Sequence, residues 1–341
     1  MIKITYIVPI FNGEEYLSTC LDSLFNQGLN MDEFEIICVD DFSSDNSQNI
    51  ILDYSKKYSN LLYILNEKNL KTSTSLNRGL KQARGKYIWI VGQDDVIEPQ
   101  SATKVLRYCE ENELDVIAFN YRRIGSKNDI VSRDKVFCNE ILQEGRDFIK
   151  RNFYDTFCIY LLGYEWRAVY NREFLANYSI AFPENTIYED TTFMFKAFWY
   201  SKRFMSIEDF LYNYRINDNS VTDVSKRYKA NRIYDFFMVA DEVLKFAKEV
   251  DDEYIKSQLI EISKKYLRSF TYTIIPAIYS EKKLFYSLVK NNWTNIRLLI
   301  SSESYYVKIL LYPYTGCVLT TIFKPLFRVK HLLNTKNYSN I

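Results

Sequence analysis

Tyr87-Ile-Trp-Ile-Val-Gly-Gln-Asp94-Asp95 is an apolar run that stops abruptly at two adjacent carboxylates. Read as a strand, it delivers acidic side chains at its carboxyl end, where open α/β sheets bind ligands. Hard divalent cations such as Mg²⁺ prefer these oxygens and share their remaining coordination with substrate phosphates. The pair therefore points to a metal–diphosphate site. The alternative is an Asp-rich turn that only closes the strand.

The flanking sequence repeats the pattern. Glu35-Ile-Ile-Cys-Val-Asp40-Asp41-Phe-Ser43-Ser44-Asp45 is again an apolar run ending in paired Asp, followed by residues suited to capping a helix. Ile4-Thr-Tyr-Ile-Val-Pro9-Ile-Phe11-Asn12 opens the chain as a third strand and leads into a segment where Leu17, Leu21 and Leu24 mark one helical face. Strand and helix thus alternate through the first hundred residues, the pattern of a parallel sheet with crossover helices. Neither a Gly-rich dinucleotide-binding turn nor a phosphate-binding P-loop follows these strands.

Five blocks, Ile7-Val-Pro-Ile-Phe-Asn-Gly-Glu-Glu-Tyr-Leu17, Val39-Asp-Asp-Phe-Ser-Ser-Asp45, Ser75-Leu-Asn-Arg-Gly-Leu80, Gly85-Lys-Tyr-Ile88 and Gln93-Asp-Asp95, resemble in order and spacing those of the family 2 glycosyltransferases. Tyr188-Glu-Asp-Thr-Thr-Phe-Met-Phe195, Leu211-Tyr-Asn-Tyr-Arg215 and Asn219-Ser-Val-Thr222 are similar to the later half of that catalytic domain. The resemblance covers roughly the first two thirds of the chain. It implies the GT-A fold, a Rossmann-like α/β architecture, over residues 1–222. Residues 223–341 then form a helical appendage.

Several site residues follow from the resemblance. Pro9, Phe11, Asn12 and Asp41 line the nucleotide end, the Asp41 carboxylate accepting the uracil imide N–H. Asn77 and Arg78, on the helix before the metal strand, lie near the nucleotide. Asp95 is the expected ligand of Mn²⁺ or Mg²⁺, and Asp94 contacts the sugar or ribose. Many relatives carry a further Asp where this chain has Gly92, and a Gly where it has Lys71. Asp190 is the expected general base and Glu189 orients the acceptor. Each has a plainer alternative: Asp40 and Asp41 as caps of the next helix, and Asp190 as the N-cap of the helix begun by Phe193, Ala197 and Phe198. Trp166 stacks on an acceptor sugar or packs in the core. Arg215 pairs with diphosphate or is a solvated surface charge.

The 341 residues suffice for one large domain and an appendage. A net charge of +1 argues against nucleic acid as the principal partner. From Tyr305 onward, however, Lys308, Lys324, Arg328, Lys330 and Lys336 meet no acidic residue. Ile309 to Phe323 is apolar but broken by Pro313 and Gly316, and it is too short to span a bilayer. This tail either lies on an anionic membrane or buries its apolar face in the appendage. Cys20, Cys38, Cys109, Cys138, Cys158 and Cys317 lack the paired spacing of a zinc site and read as reduced thiols of a cytosolic protein. The first apolar run is too short for a signal peptide. The expected location is the cytoplasm, peripheral at the inner face of the cell membrane.

Further along, a helix carries Ala102, Val105, Leu106 and Cys109, Asp115-Val-Ile-Ala-Phe119 is a fourth strand, and Tyr121–Asn139 is a loop or irregular hairpin. Two helical stripes follow, Ile233 to Ala247 and Leu259 to Ile274, with Asp251-Asp252 starting the second. The expected activity is inverting transfer from a UDP-linked sugar to a glycan or lipid-linked glycan. The rivals are a sugar nucleotidyltransferase, which would carry a basic Gly-rich loop near the amino terminus, and a catalytically silent protein that kept the fold.

Overall fold

The computed structural model describes residues 1–135, 137, 141–153, 164–184, 190–216 and 233–264. Among them nine strands form one sheet: β1 (Ile4–Ile10), β2 (Phe34–Asp40), β3 (Leu61–Leu65), β4 (Tyr87–Ile90), β5 (Val96–Ile97), β6 (Val116–Ile124), β7 (Ile130–Asp134), β8 (Ala168–Asn171) and β9 (Phe204–Arg215). Their spatial order is β3-β2-β1-β4-β8-β6-β9-β5, with β7 paired to β6. The β3-β2-β1-β4 half is parallel. β8 runs antiparallel to both β4 and β6 and joins the two halves.

Helices α1 (Leu17–Phe25), α2 (Ser47–Lys57), α3 (Lys71–Gln82) and α4 (Ser101–Glu111) cross between the early strands. They are followed by α5 (Gly145–Phe153), α6 (Arg172–Asn177), α7 (Asp190–Tyr200), α8 (Ile233–Glu249) and α9 (residues 253–264). The early strands are apolar on both faces because both are covered. Ile4, Tyr6, Val8 and Ile10 of β1 join Leu17, Leu21 and Leu24 of α1 in one core, while Ile7 faces Leu76 of α3 in the other.

The expected α/β alternation is what forms. The fourth strand continues past Phe119 to Ile124, and the Tyr121 segment becomes a hairpin with β7 whose register shifts between Arg123 and Ile124. Val239, Val243 and Phe246 of α8 are buried in the same core as Phe193 and Phe198 of α7. Asp252 starts α9, its Oδ1 accepting the Ile255 N–H at 3.0 Å. Glu189, the Asn219–Thr222 block, the domain border at 222, Cys138, Cys158, Cys317, the stripe beyond residue 264 and the basic tail lie outside the described residues.

Candidate functional site

The parallel register brings the candidate residues to one edge of the sheet. Ile10 pairs with Asp40, so β1 and β2 end level, while β4 ends at Ile90 opposite Ile7, three residues earlier, and its exit loop runs on along the end of β1. The exit loops are then locked together by their own polar groups. Asp41 N donates to the Ile10 carbonyl at 2.7 Å. Asn12 N donates to Ser43 Oγ at 3.0 Å, and Ser44 N donates to Asn12 Oδ1 at 2.8 Å. Between β1 and β4 the Gln93 amide acts as a short piece of ladder: its Oε1 accepts from Phe11 N at 2.8 Å and its Nε2 donates to the Phe11 carbonyl at 3.0 Å.

Neither Asp40 nor Asp41 caps α2. Asp40 accepts from Ser43 N and from the Tyr63 hydroxyl. Asp41 is buried, and its Oδ1 accepts from Asn66 Nδ2 at 2.7 Å and from Leu70 N at 2.6 Å. Asn66, buried and absent from the sequence reading, also accepts from Arg78 Nη1, so Arg78 reaches Asp41 through it. The Asn77 amide exchanges two bonds with the Phe182 backbone, at 2.9 and 3.0 Å. Pro9 sits within β1, and Phe11 is exposed at its exit.

Asp95 is 2% exposed. Its Oδ2 accepts from the Tyr212 hydroxyl at 2.6 Å, and that hydroxyl accepts from Gly92 N at 2.9 Å. Its Oδ1 accepts from Arg215 N at 2.7 Å. Burial, and next the Asp94 charge, push the carboxyl well above its ordinary range. Gly92 has no room for a side chain, because an added Cβ would lie 2.6 Å from Asp95 Oδ2. Arg215 is neither solvated nor aimed outward. Buried, it lies over the Tyr16 ring and donates to the Asp94, Gly125 and Ser126 carbonyls and to Asn128 Oδ1.

A divalent cation fits the Asp94–Asp95 corner. Two adjacent carboxylates offer hard oxygen donors, and the Arg215 guanidinium donates to the Asp94 and Gly125 carbonyls and to the Asn128 amide oxygen beside them. Among the described residues no group of three or more acidic, His or Cys side chains surrounds a point. Completion of such a shell falls to phosphate oxygens and water, as hard cations allow.

Asp190 opens α7, with Oδ1 accepting from Thr191 N at 2.8 Å and Oδ2 from Tyr164 N at 3.1 Å. Tyr164 holds φ 91° and leads into the Glu165–Arg167 3-10 turn. Glu165, to which the sequence reading gave no role, is half-buried beside it. Burial, then the Asp190 charge, raise its carboxyl to about 8. Asp190 is also raised by burial, opposed by the N–H groups of Tyr164 and Thr191. The two acids titrate as a pair, and near neutrality the shared charge rests on Asp190, which has the N–H donors.

An aromatic stack connects this pair to the Asp94–Asp95 corner. The Trp166 indole lies 5.0 Å from Tyr164 and 4.3 Å from Tyr212, both roughly parallel to it. Tyr214 stacks on it as well, at 5.4 Å. Trp166 is buried, so the core alternative describes it, and the half-buried rings around it are Tyr164 and Tyr214.

Comparison with known proteins agrees with this fold. The model for the family described as Glycosyl transferase family 2 matches residues 5–179. EpsJ of Bacillus subtilis, described as an uncharacterized glycosyltransferase, is 30% identical over 224 residues, 65% of this chain and 63% of EpsJ. A poly(ribitol-phosphate) beta-glucosyltransferase of Bacillus spizizenii is 29% identical over 218 residues, 63% of this chain and 32% of that protein. The chain therefore spans less than two thirds of the length of either relative. In fold it is similar to Staphylococcus aureus TarS 1-349, crystallised with UDP-GlcNAc, with a TM-score of 0.62 and 24% identity over 99% of this chain and 89% of that one. It is similar also to the mannosyltransferase PcManGT of Pyrobaculum calidifontis in complex with GDP-Man and Mn²⁺, with a TM-score of 0.52 and 15% identity over 95% and 81% of the two chains. The architecture is the GT-A fold anticipated above, and the chain belongs to glycosyl transferase family 2.

Proposed function

We propose that the protein is an inverting glycosyltransferase that moves a sugar from a UDP-linked donor to a hydroxyl of a glycan or lipid-linked glycan in cell-surface polysaccharide synthesis. The observation that carries this reading is the linkage of three acid sites at one sheet edge. Asp41 is bonded to the β1 exit, and Asp95 and Asp190 are joined through the Tyr212–Trp166–Tyr164 stack. The UDP-GlcNAc bound by TarS supports the donor class, and the poly(ribitol-phosphate) relative supports a polymeric acceptor.

Asp41 Oδ2 makes no bond among the described residues and is the acceptor for a uracil N–H, with Phe11 and Pro9 beside it and Arg78 and Asn66 fixing the carboxylate. Asp94 contacts the sugar or ribose. Asp95 and Asp94 would hold Mn²⁺ or Mg²⁺, which shields the charge developing on the departing diphosphate. Asp190 removes the acceptor proton as that oxygen attacks the anomeric carbon from the face opposite the nucleotide. The new C–O bond forms as the bond to the phosphate oxygen breaks, UDP leaves and the configuration inverts. Glu165 keeps its own proton meanwhile, so the pair presents one negative charge to the acceptor. Glu189 is assigned to orient the acceptor.

Residues 1–222 are read as the catalytic unit and 223–341 as a helical appendage whose basic tail rests on an anionic membrane. Among the described residues no helix is long and apolar enough to cross one. The test is UDP release by the full-length protein from a panel of UDP-sugars, with and without Mn²⁺, and the anomeric configuration of the product by NMR. Metal-stimulated release that Asp95→Ala abolishes is expected. A folded protein that neither binds nor turns over any nucleotide sugar overturns the reading.

A further inference from the structure

β2 ends in Asp40-Asp41-Phe42-Ser43, and Phe42 takes φ 67°. That left-handed conformation brings Cβ against the following carbonyl and is an outlier for a bulky residue. Packing gives nothing back, since Phe42 is 55% exposed and takes part in no ring contact among the described residues. A single exposed apolar side chain is ordinary. Exposure combined with backbone strain is not, and strain of this kind gathers at functional sites.

The surroundings narrow the occupant. The Phe42 turn is docked on the β1 exit by the Asp41–Ile10, Asn12–Ser43 and Ser44–Asn12 bonds. The residue after Ile10 is Phe11, 46% exposed. Two exposed phenylalanines thus sit on bonded neighbouring loops, one of them next in sequence to a buried carboxylate that has an oxygen left over. A planar heterocycle carrying an N–H donor is the ligand class whose chemistry suits two aromatic rings and a carboxylate oxygen.

We propose that Phe42 is the second aromatic wall of the nucleobase subsite, the base lying between the Phe42 and Phe11 rings while its imide N–H donates to Asp41 Oδ2. This rests on the donor-nucleotide reading above. The left-handed turn is then what aims the ring at the base, and bound nucleotide supplies the packing the ring otherwise lacks.

The test is calorimetric titration of the full-length protein, with Mn²⁺, using whichever of UDP and GDP, both of which carry a ring N–H, the parent binds most tightly. Phe42→Gly and Phe42→Asn suit a left-handed turn and lack the ring, whereas Phe42→Tyr keeps it. Gly and Asn variants are expected to bind about tenfold more weakly, the scale of one base–aromatic stack, while unfolding no earlier on heating than the parent. The Tyr variant is expected to bind like the parent. Parental affinity in the Gly and Asn variants overturns the proposal, as does equal weakening in all three, which would assign the effect to the turn. A parent that binds neither nucleotide overturns the donor reading itself.

Discussion

Replacing Tyr212 by Phe removes one oxygen and keeps the ring, 4.3 Å from Trp166 at 12°, so the packing is retained. Lost are a donor to Asp95 Oδ2 at 2.6 Å and an acceptor for the Gly92 N–H at 2.9 Å. The first bond contributes roughly 1–3 kcal/mol, the upper end applying to an ionised carboxyl. The second leaves a half-buried backbone donor that water reaches in part, adding about 1 kcal/mol. Asp95 still accepts from Arg215 N, so its charge is not orphaned. The expected loss is about 2–4 kcal/mol, large against a typical total of roughly 5–15 kcal/mol but short of unfolding the protein. Urea denaturation at neutral pH reads it as a lower midpoint at unchanged slope, with the near-ultraviolet signal of the aromatic stack preserved. A double-mutant cycle with Asp95→Asn isolates the pair. A loss below about 0.5 kcal/mol, the floor for a single hydrogen bond, refutes the argument that Tyr212 holds the metal-corner acid.

Three further expectations follow from the second acid site and the tail. Asp190→Asn keeps donor binding, measured by titration with UDP, and loses transfer by about 10²-fold or more; parental turnover would move the base elsewhere, with Glu189 next in line. Glu165 has a folded-state pKa raised from 4.5 to about 8, so its contribution to stability is complete at low pH and declines as pH rises between those values. Glu165→Gln should remove that decline from a series of denaturation curves, and identical pH profiles for the two proteins would refute the assignment. Replacing Lys324, Arg328 and Lys330 with Gln should reduce co-sedimentation of the full-length protein with anionic vesicles, each cation adding roughly 1 kcal/mol at the surface; unchanged sedimentation removes the membrane reading of the tail.

Elements β1, β2 and β4 and the helices between them were legible because each is an apolar run or stripe closed by polar residues in sequence. β3 and β8 were not. Leu61–Leu65 is a short edge strand with a partly exposed pattern, and Ala168–Asn171 is a strand only because β4 and β6 lie on either side of it. The same division holds at the site. Acids at strand ends announce themselves locally, so Asp41, Asp94 and Asp95 could be named from sequence. The partners that decide their behaviour are distant: Tyr212 is 117 positions from Asp95, and Asn66 is 25 from Asp41. Arg215 illustrates the limit, since an arginine after an aromatic strand carries no local mark of burial, and its acceptors lie 87 to 121 positions away. Glu165 gave no signal because its neighbour Asp190 arrives only through folding.

The absence of room at Gly92 bears on how such a site can change over generations. The family resemblance implies an acid at this position, yet here its Cβ would meet Asp95 Oδ2 at 2.6 Å. An inward Asp95 tied to Tyr212 and a side chain at 92 are two occupants of one volume. A side chain added at 92 therefore requires the Asp95 carboxylate to shift. Because the crowded oxygen is the one that Tyr212 bonds, that shift loosens the Asp95–Tyr212 hydrogen bond. Residues 92, 95 and 212 are thus coupled through one carboxylate, and a change at any of them bears on the other two.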